Sequence, residues 1–155
     1  MSSRLIVLNE WVLHDLAGEK GEERQRQAGS LLDKFGAESS MLAVWRGSPW
    51  MSKFARFTNR AARPRPRLLL KKLANLLYDS ARCHILENDQ VPPLAPELAA
   101  KLPRKDIYLV ETYRAAKADL LVTEDARLLA ALHAHCPDVT VQTRDDFMRA
   151  LGVCP

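Results

Sequence analysis

A chain of 155 residues with 47% hydrophobic residues is long enough to bury one good core, and it is read as a single domain over residues 1–155. Its net charge of +4 is unevenly spread, no apolar run approaches the length that crosses a bilayer, and the apolar part of MSSRLIVLNEW is too short for a signal peptide. Membrane insertion is therefore not expected, and three cysteines without motif spacing (Cys83, Cys136, Cys154) predict reduced thiols in a cytoplasm rather than a disulfide framework.

In chain order, RLIVL (4–8) reads as a buried strand, followed by a short helix through about Leu16. GEKGEERQRQAGSLLDKFG begins as a polar turn and becomes a helix ending near Gly36. SMLAVWRG is a second strand, and SPWMSKFARFTNRA a helix with Ser48 as its cap and Pro49 at its first position. ARPRPR (62–67) is expected to break any helix, because each proline removes a donor and extends its predecessor. Helical spacing resumes from Leu68 to Asp79, and ARCHILE is a third strand whose His84 is read as a core histidine. A proline-punctuated connection with a turn or two of helix leads to a helix over Asp106–Lys117. The strand at Asp119–Val122, a helix over Asp125–His135, the strand DVTVQT and a helix over Arg144–Leu151 complete the chain. Strands alternate with helices throughout, which predicts an α/β fold with a parallel sheet covered on both faces.

Two features carry chemistry. The first is ADLLVTEDARLLAAL (118–132), in which a continuous apolar strand runs into Thr123, Glu124 and Asp125. Thr123 suits an N-cap, and acids in a first turn suit the helix dipole, so capping alone explains the pattern. Thr143 and Asp146 repeat it with capping-box spacing. Ligands of such sheets sit beyond the carboxyl ends of the strands, where Asn9, Glu124 and Asp125 collect; the pattern alone does not place Asp106 near them. The second feature is a basic run without an acid between Lys53 and Leu77: Lys53, Arg56, Arg60, Arg63, Arg65, Arg67, Lys71 and Lys72. Trp45, Trp50, Phe54 and Phe57 lie in or just before it, so the segment offers a phosphate backbone both charge and stacking surface; a solvated face explains it equally. HAHC (133–136) is read as cations suiting a helix end rather than as a metal site.

DIYLVETYRAAKADLLVTEDARLL (106–129) resembles the C-terminal signature of the PIN-domain nucleases: an acid, a helix rich in small residues, Ala-Asp before an apolar strand, then Thr-x-Asp and a leucine pair. VTVQTRDDFMRAL resembles the closing strand and helix of that family, LIVLNEWVLHDL its opening strand, and GSPWMSKFAR a segment that in one branch carries a Glu. The resemblance implies a three-layer sandwich with a mostly parallel central sheet, and a metal-dependent endoribonuclease cutting single-stranded RNA in a toxin-like, RNA-processing or defence role. It also implies Mg²⁺ or Mn²⁺ as cofactor on Asp106 and Asp125, with Glu10, Glu124 and Asn9 assisting. RNA or another nucleic acid is the implied partner, along with a protein partner or antitoxin and a homodimer.

Asn9 stands where the family has its first Asp, with Glu10 beside it, and Lys53 stands where its Glu is expected. An amide keeps an oxygen but forfeits the charge, and a unit pair at about 4 Å with an effective dielectric near 20 is worth on the order of 4 kcal/mol. Lys53 pointing inward either repels an ion or binds a phosphate as a point charge. A second expectation therefore stands beside the first: a degenerate PIN-like domain that binds nucleic acid or serves in an assembly.

Overall fold

The structure is a computed structural model that describes residues 4–35 and 40–153. The expected helix end near Gly36 and the thiol of Cys154 lie outside the described residues. Among the described residues five strands form one sheet in the order β3-β2-β1-β4-β5, every pairing parallel: β1 (Arg4–Leu8), β2 (Ser40–Trp45), β3 (Cys83–Leu86), β4 (Leu120–Val122) and β5 (Val141–Gln142). Ile6, Val7 and Leu8 of β1 and all of β4 are buried, which is why these central strands read as unbroken apolar runs rather than alternating ones.

Among the described residues eight α-helices complete a three-layer α/β sandwich: α1 (Trp11–Ala17), α2 (Glu22–Lys34), α3 (Pro49–Arg60), α4 (Pro64–Leu77), α5 (Pro96–Ala99), α6 (Ile107–Ala116), α7 (Ala126–His135) and α8 (Arg144–Ala150). α6 lies across β1 to β4, while α1 to α4 pack on one another with α3 against β2 and α4 against β3. No helix among the described residues is long and apolar enough to cross a membrane. Cys83 and Cys136 are buried and unpaired, and burial pushes the Cys83 thiol up to about 12, so it has no thiolate character to offer.

Three expectations need correction. ARPRPR does not break a helix but opens one: α4 begins at Pro64. First-turn N–H groups have no intrahelical partner, so the donors that Pro64 and Pro66 lack are not missed, and the real break is at Ala61–Arg63. Arg65 and Arg67 consequently ride on an ordered turn. His84 is exposed rather than buried, because β3 is an edge strand. Finally, the cap of α7 is Asp125, not Thr123. Ser48 and Thr143 cap α3 and α8 as their spacing predicts, accepting from Met51 N and Asp146 N.

β1 has β2 on one side and β4 on the other, so the chain order reverses at this point. That opens a crevice beyond the carboxyl ends of β1 and β4.

Candidate active site

Asn9 is the first residue past β1, and it ties the two central strands together. Its N–H donates to Val122 O at 3.0 Å, and its Nδ2 donates to Thr123 Oγ1 at 2.8 Å. Its Oδ1 accepts from Glu10 N at 2.7 Å, so both ends of the amide are engaged by the fold. Thr123 Oγ1 also accepts from Asp125 N at 3.1 Å, and Asp125 Oδ1 accepts from Arg127 N at 2.9 Å and Leu128 N at 3.4 Å. One oxygen of Asp125 thus caps α7 and the other remains for the crevice, where Lys105 Nζ lies 3.5 Å away.

Asp106 reaches the same crevice from α6. A helix that feeds a parallel strand runs antiparallel to it and so begins at the strand's carboxyl edge. Asp106 closes a 3₁₀ turn, Arg104–Asp106, at the start of α6 and is 2% exposed. Its Oδ2 is buried without a partner. Burial, reinforced by the neighbouring charge of Asp125, pushes its carboxyl from 3.8 up to about 6, and protonated Asp106 can donate to Asp125. Asp125 moves the opposite way. Burial raises it, but the amides of Leu128 and Arg127 and the Lys105 ammonium outweigh burial and leave it below the usual range. Burial and the Asp125 charge thus move Asp106 up while the α7 amides and Lys105 move Asp125 down.

The remaining candidates line the same cleft but face cations. Glu10 Oε1 pairs with Lys53 Nζ at 3.2 Å, and Lys53 Nζ also lies 3.4 Å from His14 Nε2. The other ring nitrogen of His14, Nδ1, is in contact with Glu19. Glu124 turns to Arg24 at 3.0 Å, whose guanidinium also holds the fully buried Asp15 at 3.0 Å. Asp15 in turn accepts from Arg144 at 2.8 Å, a guanidinium stacked 5.4 Å over Trp11. The four acids therefore do not form one ligand group. Among the described residues no set of three or more His, Cys, Asp and Glu side chains is arranged to hold a metal ion. Glu111, the other acid on α6, accepts from Leu94 N at 3.1 Å.

Of the basic run, Lys53 alone reaches this cleft. Arg56, Arg60, Arg63, Arg65, Arg67 and Lys71 are exposed along α3 and α4, and Lys72 pairs with Asp33. His14, Glu19, Lys20 and Lys105 line the cleft without having been expected there. Two of them had a sequence signal: Lys105 precedes Asp106, and His14 stands four residues after Glu10, one helical turn on. Glu19 and Lys20 had none, since they arrive from a turn at Gly18, whose left-handed backbone (φ 85°) strains any other residue and whose added Cβ would meet Gln25 Nε2 tightly at 3.1 Å.

No family model and no curated protein matches this chain. Among solved structures, it is similar to a chain of VapBC2 from Rickettsia felis bound to a DNA fragment from their promoter, at 10% identity and a TM-score of 0.43, over 90% of this chain and 98% of that one.

Proposed function

We propose that this chain is a metal-dependent endoribonuclease of PIN type that cuts single-stranded RNA, with Asp106 and Asp125 as the carboxylates for Mg²⁺ or Mn²⁺. The observation that carries this reading is the carboxyl pair itself: a buried, unpartnered Asp106 Oδ2 in the same cleft as a second carboxylate, whose charge raises it. A divalent cation is the natural replacement for the proton on Asp106, and Mg²⁺ in particular keeps several waters and takes one or two protein carboxylates alongside substrate phosphates. The residues present fit that requirement. The chemistry such an ion supplies when bound is an oriented water and neutralised charge on the phosphate.

The chain's own side chains do the rest. Asp125 holds one oxygen on the α7 amides, which fixes the direction of the other. Lys105 is 75% exposed, and its pairing with Asp125 is weak enough to give way to a phosphate. Glu10 keeps the Lys53 ammonium inside the cleft as a second point charge for the backbone.

The test is cleavage of a labelled single-stranded RNA with Mn²⁺, against an EDTA control. Asp125→Asn keeps the capping oxygen and loses the charge, worth about 4 kcal/mol at contact, so the rate should fall at least 100-fold. An unchanged rate would remove Asp125 from the site. The Lys53–Glu10 ion pair, standing where the resemblance expects an acid, favours a second reading: a cleft that binds phosphate without cutting it. RNA binding that ignores Mn²⁺, with no cleavage in any condition, would select that alternative.

A further inference from the structure

The basic run and the acidic cleft lie on different helices, yet they are joined. A groove between α3 and α4, floored by Phe57, Ala61, Pro66 and Leu70 and flanked by Arg60 and Arg63, also has Glu19 in its wall, the same residue that lines the cleft. Beside Glu19, the ring of His14, which faces the cleft, meets the ring of Phe57, which faces the groove, edge to face at 5.2 Å. His14 is fixed there from both of its nitrogens, by Glu19 and by Lys53.

The cleft has a second flank, on the α2–α8 side, which shares Glu124 and is lined by Arg24, Arg144 and Arg149. Those three guanidiniums are already matched. Arg24 is held by Asp15 and Glu124, Arg144 by Asp15 and Asp145, and Arg149 by Asp146 at 3.0 Å. A phosphate arriving there finds Arg24 and Arg144 committed to the buried Asp15, and only the exposed Arg149–Asp146 pair is weak enough to give way. On the α3–α4 side, by contrast, Arg56, Arg60, Arg63, Arg67 and Lys71 have no ion pair among the described residues. Uncompensated cations gain most from a polyanion, because binding releases counterions without breaking internal pairs.

We infer that an unpaired RNA strand leaves the acidic cleft on the α3–α4 side only, crossing the His14–Phe57 ring pair, with Phe57 as the stacking surface for a base and Arg60 and Arg63 on the phosphates that follow. The inference rests on the reading of the cleft as a phosphodiester site. The groove selects a single strand over a duplex because its floor is apolar and aromatic. A base must be unpaired and splayed to use it, whereas a duplex keeps its base faces stacked inside the helix.

The experiment is fluorescence anisotropy in EDTA with a 5′-labelled single-stranded RNA of about a dozen nucleotides, a typical single-strand site size, and with its duplex form. Wild type should favour the single strand at least 10-fold, and Phe57→Leu should weaken that binding by roughly 5-fold or more while Phe57→Tyr retains it. Arg60→Gln/Arg63→Gln, at exposed positions, should flatten the slope of log affinity against log salt by about 1.4, from two lost phosphate contacts on a single strand. Arg149→Gln should change nothing. Equal binding of duplex and single strand, unaltered affinity in Phe57→Leu, an unaltered slope in the double variant, or no binding by wild type overturns the path. Metal is absent from the assay, so lost binding with intact Mn²⁺-dependent cleavage sinks the path alone. Intact binding without cleavage sinks the nuclease reading instead.

Discussion

Asp106 sits in the folded chain with its proton bound more tightly than in the unfolded one, at about 6 against 3.8. Between those values the folded state carries the extra proton, so stability falls as pH rises through the window, and above it the ionised carboxylate is a standing burden on the fold. Asp106→Asn removes that burden. Unfolding in urea at about pH 7.5 should show a gain of up to roughly 3 kcal/mol, since each pH unit separating the folded and unfolded values is worth about 1.36 kcal/mol, and the gain should shrink toward zero near pH 4. A gain of equal size at both pH values would mean that packing, not ionisation, separates the variants. A destabilising group kept in a polar cleft is the pattern of a functional site that trades stability for activity. At this scale the sequence was informative about Ser48 and Thr143 as caps, whereas Asp106 and Asp125, whose spacing carried the resemblance, meet in one cleft only through the fold. The sequence misassigned the α7 cap, because Thr123 and Asp125 have the same local credentials. The threonine hydroxyl accepts from Asn9 Nδ2 and Asp125 N, and the first-turn amides of α7 fall to Asp125.

Among the elements, the least legible contact is the one that fastens α1, α2 and α8 together. Asp15 is fully buried on α1, Arg24 comes from α2 and Arg144 from α8, 129 residues away along the chain. Burial raises the Asp15 carboxyl, and the two guanidiniums offset only part of that rise. Such a pair adds little net stability when intact, but breaking it strands a charge in the core. Arg144→Ala should therefore lower unfolding free energy by about 3–5 kcal/mol in urea titrations, while Asp15→Leu/Arg144→Met recovers most of it. Additive losses in the double variant would show that the two side chains act separately. Amphipathic spacing found α1, α2 and α8 but cannot pair charges across such separations. Two other elements were misjudged for reasons the sequence did contain. Pro64 and Pro66 fell at the only turn of a helix that tolerates them, and the direction of α6 follows from the parallel sheet, which already puts Asp106 at the carboxyl edge.

Across the whole molecule, alternation of buried apolar strands with amphipathic helices was enough to foresee the parallel sheet and its covering layers. Strand order was not foreseeable, and it is the order that places Asn9 and Asp125 together by making β1 and β4 neighbours. The net charge of +4 has the same character: its size says little, whereas its division into a matched α2–α8 flank and an unmatched α3–α4 flank gives the surface a direction. The nuclease reading of this surface depends on whether the Asp106–Asp125 pair takes a cation. The direct measurement is calorimetric titration of the protein with Mn²⁺ at about pH 6, repeated in buffers of different ionisation enthalpy and in Asp125→Asn. Binding at millimolar concentration or tighter, accompanied by release of a proton and abolished by the substitution, is the result expected of a carboxyl pair that exchanges a proton for metal. No binding in the wild-type protein, or binding that survives in Asp125→Asn without proton release, would contradict the account and leave the acids as a helix cap and a buried remnant.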